Sequence, residues 1–109
     1  MKQELNKQVE VRHQIASSMG LEQLVNSCLP RQGAIEIQHD EPHKEHPWHK
    51  HDTDETIVLI EGDMHFVWEK GETNCIAGDI INLPLGTFHG STAGAEGATY
   101  LISFRTVKI

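Results

Sequence analysis

The spacing of hydrophobic and polar positions changes once along this chain. From Met19 to Leu29 the apolar residues Leu21, Leu24, Val25 and Cys28 recur at the spacing of one helix face, which predicts a short amphipathic helix. Ser17 or Ser18 stands where an N-cap belongs, and Pro30, just past Leu29, suits the end. After Gly33 the period becomes two. Ala34-Ile35-Glu36-Ile37-Gln38 alternates as a strand does, and a polar stretch from His39 to Asp54 follows it. Thr56-Ile57-Val58-Leu59-Ile60 is a β-branched run that predicts a strand. Glu61-Gly62-Asp63 is expected to turn the chain, so that Met64 to Trp68 returns as the second arm of a hairpin. Lys70-Gly71-Glu72, Ala77-Gly78-Asp79 and Pro84-Leu85-Gly86 mark further turns around short strands through Asn74-Cys75-Ile76 and Ile80 to Leu83. Phe88 to Thr92 and Thr99 to Val107 complete the set, with Gly94 to Gly97 read as a loop between them.

Short strands at regular spacing with Gly-marked turns indicate an all-β sandwich or closed barrel. A parallel α/β fold is excluded because no helical pattern falls between the strands. With 109 residues the chain forms one domain. Residues 1–32 read as an N-terminal extension carrying the short helix, and residues 33–109 as the β domain.

Composition narrows the partners. Nine Lys and Arg against sixteen Asp and Glu give a net charge of −7. That balance argues against nucleic acid, and equally against an anionic membrane surface, because both need clustered basic residues. No apolar run is long enough to span a membrane, and the polar start lacks the apolar core of a secretory signal, so the expected compartment is the cytoplasm. Cys28 and Cys75 have no nearby cysteine partner and read as small buried apolar residues. The unusual feature is eight histidines, four of them from His43 to His51.

His49 and His51 are two apart, and Glu55 shares their parity, so an extended chain points all three to one face. A helix would separate His49 from the other two. Two imidazoles and a carboxylate on one face suit a divalent transition metal, and His89, on a different predicted segment, can be brought across to complete the set. From spacing alone, a histidine-rich solvated loop stands as the equal alternative. His46 has the opposite parity and is expected to face solvent, and of His65 and Phe66 the phenyl ring is expected to face inward.

Two spaced motifs decide between these readings. His49, His51, Glu55 and Gly62 follow the order His-x-His, three residues, Glu, six residues, Gly. Gly78, Pro84, Gly86 and His89 follow Gly, five residues, Pro-x-Gly, two residues, His. Together they resemble the two signatures of the cupin family. Two positions depart from that pattern: His43 stands where the first signature opens with Gly, and Ala93 where the second closes with Asn. Neither is a metal ligand in the family. The resemblance implies an antiparallel cupin jelly-roll β-barrel, spanning residues 33–109 here. One divalent metal ion (Fe, Mn, Ni, Zn or Cu) would sit inside its wider end on His49, His51, Glu55 and His89, and homodimers would form through a sheet face.

Phe66, Trp68, Phe88 and Tyr100 are the candidate substrate-binding wall of such a barrel, with the Tyr100 hydroxyl a candidate acid or base. Two functions remain open. One is a metal-dependent enzyme acting on a small molecule, of oxygenase, isomerase or lyase type. The other is a non-catalytic module that binds a metal or metabolite.

Overall fold

In a computed structural model the chain is described over residues 8–109; residues 1–7 of the predicted extension lie outside the described part. Seven strands and one helix follow in the order β1 (Glu10–Arg12), α1 (Leu21–Cys28), β2 (Ile35–Asp40), β3 (Glu45–His49), β4 (Glu55–Trp68), β5 (Gly71–Ile76), β6 (Ile80–Leu83) and β7 (His89–Ser103). All pairings are antiparallel.

β4 and β7 are the longest strands, and they run beside each other from Thr56↔Ser103 to Trp68↔His89. The first part of β4 pairs with β6, while its second part pairs with β5. β7 likewise pairs with β3 through its first part and with β2 through its second. The sheet therefore has two halves. One carries β1, β6, β4, β7 and β2; the other carries β5, β4, β7 and β3. Ile57, Leu59, Ile81 and Tyr100 of the first half meet Met64, Phe66, Cys75 and Ala93 of the second in one core. This is a β-sandwich of jelly-roll type.

The predicted hairpin turn at Glu61-Gly62-Asp63 is not a turn, and neither is Gly94 to Gly97 a loop between strands. β4 and β7 each pass through without a break, and the register shifts around Gly62. Gly62 and Gly97 have φ of 80° and 79°, and a Cβ on Gly62 would run into the Gly97 carbonyl. The two glycines let both strands crease together where the halves fold over each other. A turn and a crease need the same residue type, so the local sequence does not separate them.

The run Thr56 to Leu59 is buried throughout because both faces of β4 are covered. Ile57 and Leu59 point into the sandwich, whereas Val58 points outward with Ile80 and Leu101 under Leu24 and Cys28 of α1. The helix matches its predicted span. Its N-cap is Gly20, with no side-chain cap; Ser17 instead donates to the Gln14 carbonyl at 2.8 Å. Its last carbonyls are satisfied from the sheet, with Ser103 Oγ donating to Cys28 O at 3.1 Å and Arg105 to Leu29 O at 3.3 Å. Buried Asp79 ties the extension to the β5–β6 turn, accepting from the Gln14 and Ile76 amides at 2.7 and 2.9 Å. Both cysteines are free and fully buried; burial raises both thiols, that of Cys75 to about 12, as inert core residues require.

Candidate metal centre

β3 is an edge strand, which tolerates Pro47, and it carries a bulge. Between His46↔Ser91 and His49↔His89 it uses one residue more than β7 does. His49 ends β3, His51 follows in the connecting loop, Glu55 opens β4 and His89 opens β7. The His51 loop is fastened to the turn before His89: Gly86 N donates to His51 O at 2.8 Å, and Leu85 N to Asp54 Oδ1 at 2.9 Å. The two motif blocks are thus held together by one backbone–backbone and one backbone–side-chain hydrogen bond.

The three imidazoles converge. Ring centroids lie 4.7 Å apart for His49–His51, 4.3 Å for His49–His89 and 5.1 Å for His51–His89. One ligand-capable nitrogen from each falls within 4.8 Å of the others. His49 Nε2 and His51 Nε2 face each other at 3.1 Å. His89 Nδ1 lies 2.9 Å from the Thr87 carbonyl, and His49 Nδ1 bonds the Pro47 carbonyl. A carbonyl only accepts, so in both rings Nδ1 carries the proton and Nε2 keeps the lone pair. Phe66, fully buried, stacks on His89 at 5.6 Å and fixes that ring from behind.

Glu55 is buried, with Oε2 3.8 Å from His51 Nε2. Burial raises its carboxyl above the ordinary value, and His51 and His49 oppose that rise. Burial also lowers His89, to about 4, helped by His49 and His51 and opposed by its bond to Thr87. The metal-capable group is the three histidines; Glu55 lies beside it, and no Lys or Arg lines the cavity to balance its carboxylate. The three imidazoles could hold a metal ion.

All four predicted ligands line one cavity of about 290 Å³. Of the predicted substrate wall, Tyr100 lines it, whereas Phe66 sits behind His89 and Trp68 packs on Phe66 at 5.8 Å. Phe88 stacks on Trp48 at 6.2 Å, beneath Lys50, outside the lining. Ile102 and Phe104 supply the apolar side instead.

The opposite wall holds residues that the sequence reading did not single out. Asp40 is buried and accepts from Tyr100 Oη at 2.8 Å, and His46 Nε2 lies 3.0 and 3.1 Å from its two oxygens. Gln38 Nε2 donates to Tyr100 Oη at 2.8 Å. Burial and the Asp40 carboxylate raise the Tyr100 hydroxyl well above its ordinary value, so it is a donor here and a poor base. His46 was expected outside on parity. The β3 bulge resets the parity, and His46 lines the cavity. The alternating polar residues Glu36, Gln38 and Asp40 along β2 were the available signal for this wall.

Solved structures with the same architecture decide the fold. A cupin-2 domain protein from Shewanella frigidimarina superposes with a TM-score of 0.55 at 28% identity, covering 65% of this chain and 69% of that one. A cupin superfamily protein from Desulfitobacterium hafniense gives a TM-score of 0.59 at 10% identity over 92% of this chain and 80% of its own. This chain has the fold of a small cupin domain. Oxalate decarboxylase from Bacillus subtilis matches the cupin domain with a TM-score of 0.60 at 22% identity over 67% of this chain. The match spans only 21% of that enzyme. No family model and no curated protein matches the sequence. The cupin domain has a three-histidine group able to hold a metal, and no helix among the described residues is long and apolar enough to cross a membrane.

Proposed function

We propose that this cupin domain binds one divalent metal ion through His49, His51, Glu55 and His89 and acts on a small molecule held in the adjoining cavity. The observation that carries this reading is the convergence of three imidazoles, two with Nδ1 committed to backbone carbonyls and Nε2 turned to a common point. Such an ion supplies Lewis acidity to an oxygen of the bound molecule. Glu55 brings the compensating charge, Phe66 holds His89 in place, and Ile102 and Phe104 shield one side from water. The Bacillus subtilis oxalate decarboxylase, which shares the fold, has Mn(II) centres. Iron, manganese, nickel, zinc and copper all accept nitrogen and carboxylate ligands, and geometry and supply select among them.

The test is elemental analysis of untagged protein purified without a chelating column. The expected result is one divalent ion per chain, lost in His89→Ala. Retention of the ion in that variant, or none in the parent, overturns the reading. Aerobic and anaerobic assays of each metal form against a panel of small molecules then divide the two functional classes. Turnover supports the enzyme, whereas ligand-induced thermal stabilisation without turnover supports the binding module.

A further inference from the structure

The two walls of the cavity differ in what they offer a ligand, and hydrogen-bond accounting on the Asp40 side limits what enters. Tyr100 has one hydroxyl proton, and Asp40 Oδ2 at 2.8 Å takes it. Gln38, 2.8 Å from the same hydroxyl, must therefore present its amide N–H, which turns its carbonyl oxygen away as a free acceptor. His46 Nε2, within 3.1 Å of both Asp40 oxygens, must carry a proton, so that donor too is spent on Asp40. The cluster thus spends its donors on itself and keeps acceptors to spare.

Charge points the same way. Glu36 and Glu55 line the cavity and buried Asp40 stands behind Tyr100 and His46, while no Lys or Arg is among the lining residues. A divalent ion on the imidazoles would leave one of those three carboxylate charges uncompensated. An incoming anion meets repulsion and finds few donors; an incoming N–H or O–H finds partners. The volume of about 290 Å³ is at the small end of ligand pockets.

Resting on the metal reading above, we infer that the cavity selects small, donor-bearing molecules without negative charge, of the amino-alcohol class. The hydroxyl oxygen faces the imidazole wall, and the amine donates to the free carbonyl of Gln38 and to the carboxylate of Glu36. Dicarboxylates and other small anions are excluded by the same wall.

The test uses zinc-loaded, ¹⁵N-labelled protein, with zinc content measured in parallel, and two probes of equal size, ethanolamine and glycolate, followed by NMR at pH 7. The expected result is that ethanolamine shifts the Gln38, His46 and Tyr100 amides with at least a tenfold lower Kd than glycolate. Asp40→Asn should narrow that gap to threefold or less. Should the Asp40 variant fail to fold, Glu36→Gln, at an exposed position, should weaken ethanolamine by about threefold and strengthen glycolate. Equal or tighter binding of glycolate, or ethanolamine shifts that spare Gln38 and Tyr100, overturns the inference. A protein that takes up no zinc overturns the metal reading instead, and the same titration of the metal-free chain still reads the selectivity of the wall.

Discussion

The two walls of this cavity contain the same kinds of side chain in opposite states. On the Asp40 side a carboxylate, an imidazole, a phenol and an amide satisfy one another at 2.8 to 3.1 Å. On the other side three imidazoles gather with Nε2 of His49 and His51 3.1 Å apart, and the nearby carboxylate of Glu55 stays at 3.8 Å from His51. One group is closed and the other is open. The three rings converge without a cation among the lining residues, so the open side is where a partner from outside the chain would fit.

The largest effect that would break this contrast lies on the open side. His49→Ala and His89→Ala should each abolish stoichiometric metal binding in a competition titration, and with it the metal-dependent rise in Tm. The loss should exceed the ~10–100-fold typical of removing an outer hydrogen-bond partner. On the closed side, Asp40→Ala should cost about 1–3 kcal/mol in urea unfolding for each buried donor it strands, the Tyr100 hydroxyl first. Its metal content should be unchanged, and a parallel loss of metal would mean that the walls are one unit.

Acid should act next. The ring of His89 stays neutral in the fold down to about 4, whereas the unfolded ring protonates near 6.5. Between those values the unfolded chain binds more protons, so stability falls as pH drops through the window and is unaffected by this group above it. The metal-free protein should lose on the order of 3 kcal/mol across the window. Urea midpoints at pH 7, 6 and 5 should show the slope in the parent and a flatter one in His89→Asn. The smallest effect is Tyr100→Phe, which removes the hydroxyl's bonds to Asp40 and from Gln38 and should cost about 1–2 kcal/mol with metal affinity unchanged. A change in metal affinity there would again merge the walls.

The open side was legible in the sequence and the closed side was not, for a physical reason. His49, His51, Glu55 and His89 sit at spacings set by short local geometry, so two motif blocks revealed them. Asp40, Gln38 and Tyr100 meet only because β2 pairs with β7 at Gln38↔Tyr100, which is a property of the whole sheet. His46 was lost to a single inserted residue in β3, since parity arguments fail past a bulge. β1 and β3 lie in polar stretches that gave no strand signal and β7 ends at Ser103 rather than Val107, but most strands fall near their predicted spans. Their joins at Gly62 and Gly97 were misread because a crease shared by two paired strands exists only once both are paired. The aromatic wall was misplaced similarly: Phe66 and Trp68 alternate correctly along β4 but serve to back a histidine rather than to face the cavity.

The carbonyls that orient His49 and His89 belong to Pro47 and Thr87, each two positions earlier in the chain. Each ring is therefore aimed within its own tripeptide, whatever the rest of the barrel is doing. An arriving ion would have no rotamer search to wait for at these two positions, because the entropy of aligning them is already spent during folding.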